Sequence, residues 1–158
     1  MKAIIVEKMK SDYFAQSKEI ANVLGENILE FNWLISNYEL NHHPSTDWPI
    51  GRDYVWLEGK KMKEIFDEYD FQIIWGVMMG FSKEVSLDDV LEHPIPFAEG
   101  NEDFWRVDRE LLHPMGTVEI TSFDASLLVV VSNIDSIVED FEKEYPDSKI
   151  FREYLYRK

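Results

Sequence analysis

The chain has 158 residues, no cysteine, and 31 Asp and Glu against 16 Lys and Arg, a formal net charge of -15. The missing cysteine excludes disulfides, thiolate metal sites and cysteine nucleophiles, while the charge disfavours nucleic acid and anionic membrane and favours basic protein surfaces. Hydrophobic residues at 45% and aromatics at 14% argue against disorder and supply one expected domain, 1–158, with material for a sizeable core.

Ala3 to Val6 is a short β-rich run, expected as the first strand, and the return of charge at Glu7-Lys8 leaves it too short for a signal peptide. Ser11 is the expected cap of a helix from Asp12 to Leu24, with Gly25 just past its end. Leu29, Phe31, Trp33 and Ile35 alternate with Glu30, Asn32, Leu34 and Ser36, the period of a half-buried strand. Asn41 to Pro49 holds two prolines and small polar residues, so it is read as a loop. Tyr54 to Leu57 predicts a short strand.

Met62, Ile65, Phe66 and Tyr69 recur at helical spacing. Phe71 to Phe81 is apolar on both faces and predicts a central strand, in which Gly76 and Gly80 mark a bulge or a close backbone approach. The run falls well short of the ~20 residues of a membrane helix, and the expected location is the cytoplasm. Ser86 with Asp89 predicts a capped short helix through Leu91. His93 to Gly116 contains three prolines and few periodic positions, so it is read as irregular. Thr117–Ser122 and Leu127–Val131 predict two strands joined as a hairpin by Phe123–Ser126. Asn133 is the expected cap of a helix with Ile134, Ile137, Val138, Phe141 and Tyr145 on one face, stopped by Pro146. A last helix, capped by Asp147 or Ser148, carries Ile150, Phe151, Tyr154 and Leu155.

Helices interleaved with strands, at least one hairpin and no regular βαβ spacing predict an α+β fold, a mainly antiparallel or mixed sheet packed against several helices. The expected core includes Phe31, Trp33, Ile35, Ile73, Trp75, Val118, Ile120, Leu128, Val130, Ile137, Val138 and Phe141.

Chemistry is first sought among the histidines, His42, His43, His93 and His113. Three of them precede a proline, which restricts them to extended loop positions, and their spacing matches no compact metal motif. No metal and no cofactor are expected. Neighbouring carboxylates such as Glu139-Asp140 fall off the apolar face of their helix, as a solvated surface requires. No nucleophile elbow, dinucleotide fingerprint or phosphate loop occurs. The basic run Lys60-Lys61-Met62-Lys63 is read as local partners for Glu64, Asp67 or Glu68.

The segment from Glu84 to Glu110 is more informative. It carries nine carboxylates against Arg106 and Arg109, a net charge of -7, around the aromatics Phe97, Phe104 and Trp105. Aromatic anchors in an acidic surround fit a binding face for a basic protein, with Asp88, Asp89, Glu99, Glu102, Asp103, Phe104, Trp105 and Asp108 as its candidate residues. The alternative is that the aromatics pin a long loop to the core.

The run Thr117-Val118-Glu119-Ile120-Thr121-Ser122-Phe123-Asp124-Ala125-Ser126-Leu127-Leu128-Val129-Val130-Val131-Ser132, followed by an amphipathic helix and Tyr145-Pro146-Asp147-Ser148, resembles the immunity proteins of bacterial polymorphic-toxin and contact-dependent inhibition systems. The resemblance covers about the last quarter of the chain and transfers no specific residue. It implies a non-enzymatic inhibitor that covers a cognate toxin domain, often a basic nuclease. Two other readings stand beside it: a small hydrolase using His93 or His113 with carboxylates, and an adaptor protein without a catalytic pocket.

Overall fold

The computed structural model describes residues 1–44, 47–49 and 51–157. Its strands are β1 (Lys2–Val6), β2 (Phe31–Leu40), β3 (Tyr54–Glu58), β4 (Ile73–Ser82), β5 (Val118–Phe123), β6 (Leu127–Ser132) and β7 (Lys149–Ile150). They form one sheet in the order β3-β2-β4-β5-β6-β1-β7, with every neighbouring pair antiparallel. The helices are α1 (Ser17–Leu24), α2 (Gly59–Glu68), α3 (Leu87–Leu91), α4 (Asp135–Glu144) and α5 (Phe151–Tyr156), with 3-10 turns at Gly25–Glu30 and Glu102–Trp105. The fold is α+β.

Alternation along the strands builds two apolar faces. Ile4, Trp33, Ile35, Val118, Ile120, Leu128 and Val130 join Ile20, Met62, Phe66, Val138 and Phe141 of α1, α2 and α4 in one core. Ile5, Leu34, Val77, Met79, Phe81, Val129 and Val131 project the other way. That second face is covered by α5 and by the β4–β5 connection, here called the strap, through Val90, Ala98 and Phe104. A sheet covered on both faces explains why Phe71 to Phe81 lacks alternation. Gly80 is there because of a close approach: a Cβ would stand 3.2 Å from the Trp33 ring.

Several elements start later than their sequence signals. Ser11 does not cap α1. Its backbone N–H donates to Glu19 Oε1 at 2.6 Å, Lys10 N–H donates to Oε2 at 2.9 Å, and Ala15 at φ 57 breaks the helical path. Leu29 lies in the first 3-10 turn, so β2 begins at Phe31. Asn133 does not cap α4; Ser132 Oγ accepts the Ile134 N–H at 2.9 Å instead, and Ile134 is 39% exposed. Neither Asp147 nor Ser148 caps α5, because Lys149 and Ile150 first pair with β1. Trp75 is half-buried, its ring tilted over Phe123 at 4.4 Å, and every other expected core residue is buried. Of the expected loop at 41–49, Ser45 and Thr46 lie outside the described residues. Lys63 pairs with Asp67 at 2.8 Å as expected, whereas Lys61 reaches Asp47 at 2.7 Å.

Two buried titratable groups tie elements together. Glu19 accepts from the Lys10 and Ser11 amides and from the Tyr145 hydroxyl, joining the loop before α1 to the end of α4. Burial alone would raise its pKa, but these donors outweigh it and hold the carboxyl below its ordinary 4.5. His113, itself a strap residue, is fully buried. Met115 N–H donates to its Nδ1 at 3.1 Å, so Nε2 carries the proton and donates to the Val90 carbonyl at 2.9 Å. Burial lowers its pKa below the ordinary 6.5, more than the Val90 contact raises it, and nearby His93 adds to the lowering.

The sign of the resulting pH dependence follows by linkage. A histidine depressed on folding contributes stability above its unfolded value and loses it as pH falls through that value. Resistance to urea unfolding is therefore expected to fall as pH drops below about 6.5. His113→Gln should flatten that slope even though it lowers stability throughout. An unchanged slope in the variant would assign the effect elsewhere. Glu19→Gln should lower stability at neutral pH while leaving the slope in this window unchanged, and its cost should shrink only below the ordinary carboxyl value of 4.5, where the depressed carboxylate titrates.

Candidate partner-binding surface

The strap runs from the end of β4 to the start of β5 across the second sheet face. Its first turn is set by Ser86: Oγ accepts from Asp89 N–H at 3.1 Å, and the Asp89 carboxylate accepts from Ser86 N–H at 3.2 Å. This reciprocal box caps α3. The Ser86 side-chain and backbone bonds also hold the Asp89 carboxyl below its usual range. Asn101 caps the second 3-10 turn by accepting from Asp103 N–H at 3.1 Å.

Phe104, expected as a partner anchor, is instead a core residue with 0% exposure. Its ring stacks on Phe123 at 5.7 Å and meets Trp105 edge-on at 4.8 Å. Trp105 is half-buried, packed on Phe123 at 4.9 Å and parallel to Phe151 at 6.1 Å. These two aromatics pin the strap to the sheet and to α5, so the pinning alternative is the one the structure shows for Phe104. Of the strap's three aromatics in question, Phe97 is the exposed one, at 44%.

Arg109 also turns inward. Its guanidinium makes two bonds to Glu119, 2.7 Å from Nη2 to Oε1 and 3.2 Å from Nη1 to Oε2, while Leu112 N–H donates to the same carboxylate at 2.9 Å. The side chains of this pair are 6% and 0% exposed. The guanidinium lies 4.6 Å from the Phe104 ring centre and 5.2 Å from that of Phe151. Arg109 thus neutralises the core carboxylate Glu119 and does not offset the strap's surface charge.

The other candidate carboxylates remain outside. Asp88, Glu99, Glu102, Asp103 and Asp108 are exposed, and Asp89 is half-buried in its cap. Arg106 sits between Asp103 at 3.6 Å and Asp108 at 3.3 Å, and the hydrogen bond from Arg106 holds the Asp108 carboxyl below its usual range. Glu99 lies apart from this group. It borders a groove of about 540 Å³ where the strap passes the irregular end of β2. Sequence reasoning missed this groove, because Tyr38, Asp53 and Trp75 are distant from one another in the chain and come together where β2, past its bulge near Asn37, runs beside β3 and β4.

The His93 and His113 rings meet edge-on, 5.1 Å apart. His113 has both ring nitrogens engaged by backbone groups and no exposed surface, so it cannot reach a substrate. His43 Nε2 contacts the Trp48 carbonyl at 2.5 Å, and His42 stands edge-on to Phe71. Among the described residues no group of three or more His, Asp or Glu side chains could hold a metal ion. Among them too, no helix is long and apolar enough to cross a membrane.

Comparison with protein-family models, with curated proteins and with solved structures finds no match to this chain.

Proposed function

We propose that this chain is a non-enzymatic binding protein that neutralises a basic protein partner, on the pattern of the bacterial toxin-immunity proteins its C-terminal quarter resembles, and that it works in the cytoplasm. The observation carrying this reading is the strap: nine carboxylates on a connection whose two arginines are spent locally, Arg109 inside on Glu119 and Arg106 between Asp103 and Asp108. An exposed acidic surface of that kind imitates the phosphates of a nuclease substrate and accelerates encounter with a basic protein. The aromatic cluster beneath it keeps the surface in shape before binding, which limits the entropy lost on association. The hydrolase reading loses one of its two histidines, since His113 is fully buried with its ring held by backbone groups.

The deciding experiment is affinity capture from the native organism, followed by expression of each captured protein with and without this chain. A partner that is basic, toxic alone and silenced at equimolar chain supports the proposal. Capture of acidic partners only, or toxicity unaffected by the chain, overturns it.

With a partner in hand, neutralising Glu102, Asp103 and Asp108 together should chiefly slow association. Mutating exposed rim charges changes encounter more than residence. The deficit should shrink as salt rises, because screening acts over roughly 8–10 Å at 0.1–0.15 M ionic strength. Stopped-flow kinetics across a salt series checks this; an unchanged association rate removes these three residues from the encounter surface.

A further inference from the structure

The groove beside Glu99 has the chemistry of a cation cradle. Its aromatic lining is Tyr38 and Trp75 from the sheet and Phe97 from the strap, and its carboxylates are Glu39, Asp53 and Glu99. All three carboxylates are exposed, and among the described residues none is paired with a Lys or Arg. One cation, Arg52, shares the lining, so the groove keeps an excess of negative charge.

The walls are held before any ligand arrives. Ser36 Oγ donates to the Pro96 carbonyl at 2.7 Å. Asn37 stands in the left-handed region at φ 50, and its Oδ1 accepts from Ala98 N–H at 3.2 Å and Glu99 N–H at 3.3 Å. These bonds clamp the strap to the β2 bulge. The Tyr38 hydroxyl donates to the Arg52 carbonyl at 3.2 Å, and Trp75 is braced from behind by Phe123. Phe97 is left exposed at the mouth although its neighbours Pro96 and Ala98 are buried.

We propose that this groove anchors an arginine side chain of the partner, with the guanidinium stacked on the aromatic lining and held by Glu39, Asp53 and Glu99. The proposal rests on the reading of the chain as a binder of a basic protein and names the pocket that reading lacks. Arginine is favoured over lysine because its planar, weakly hydrated cation both stacks on rings and pairs with carboxylates.

The test uses the full chain, labelled with nitrogen-15, and two end-blocked peptides, Gly-Arg-Gly-Arg-Gly and its lysine counterpart, titrated at low salt. Saturable shifts are expected at the Trp75 indole N–H and the Phe97 amide, with the arginine peptide binding more tightly. Phe97→Ala, and separately Glu39→Gln with Asp53→Asn and Glu99→Gln, should each weaken the arginine peptide about tenfold. Asp88→Asn with Glu102→Gln and Asp103→Asn removes as many charges from elsewhere on the strap and should weaken it far less. Equal losses in the two triple variants, shifts spread over the strap, or no binding at low salt each overturn the groove as an arginine anchor. Those outcomes leave the binding-protein reading standing if a toxic partner is still captured and silenced; failure of that capture is read in a separate experiment.

Discussion

Arg109→Ala is expected to cost about 3–5 kcal/mol of folding stability, because it strands the Glu119 carboxylate in the core. Glu119 lies on the central strand β5 with 0% exposure, and its acceptor oxygens are filled by the Arg109 guanidinium and the Leu112 N–H. Removing the cation leaves one backbone donor against a buried charge. It also removes the guanidinium face that packs near Phe104 and Phe151. Urea unfolding monitored by tryptophan fluorescence measures the loss. Arg109→Met combined with Glu119→Gln deletes both charges and keeps an acceptor for Leu112, so it should recover part of it. A coupling of about 0.5–3 kcal/mol between the two sites is expected from the double-mutant cycle. Additive losses would mean that Arg109 acts through packing alone. Hydrogen exchange supplies a second readout: Leu112 N–H should lose protection in Arg109→Ala more than the amides of β1 and β6, because the pair fastens the strap to the sheet.

Phe141→Ala should be of similar size, about 3–5 kcal/mol, for a different reason. Phe141 has no exposed surface and packs with Ile137 and Val138 of α4 in the core that also holds Ile4, Ile20 and Leu128. Truncation leaves a cavity where α1, α4 and the sheet meet. The neighbouring Glu139→Gln, on the exposed side of the same helix, should change stability by less than about 0.5 kcal/mol, since its contact with Lys2 at 3.4 Å is a surface ion pair. Equal effects of the two substitutions would show that α4 does not dock by the face its spacing marks.

The two variants probe opposite layers, and their difference matters for function. Phe141 supports the helical side of the sheet. Arg109 supports the strap, so its loss should also weaken binding to a partner that docks there, whereas Phe141→Ala should weaken binding only by lowering the folded fraction.

Much of the architecture was legible in the sequence because it depends on local periodicity. The alternation read over Leu29–Ser36, the helical spacing of Met62–Tyr69 and Ile134–Tyr145, the Ser86–Asp89 cap and the apolar run of β4 each have a cause within a few residues, and each yields an element of the expected kind, although Leu29, Tyr69, Ile134 and Tyr145 fall outside theirs and β2 is buried on both faces rather than half-buried. Element starts were less legible, since tertiary donors compete for the same groups. Glu19 takes the Lys10 and Ser11 amides through a bond network that Tyr145 completes from the far end of the chain. The acidity of the strap was likewise evident from composition, but the partition of its residues was not. Burial of Phe104, the inward turn of Arg109 to Glu119 and the exposure of Phe97 depend on which sheet face the strap covers. That choice is made by contacts between residues tens of positions apart. The groove joining Tyr38, Asp53, Trp75 and Phe97 has the same origin: antiparallel pairing of β2 with β3 and β4, and the bulge at Asn37, bring together four segments that carry no shared signal in sequence.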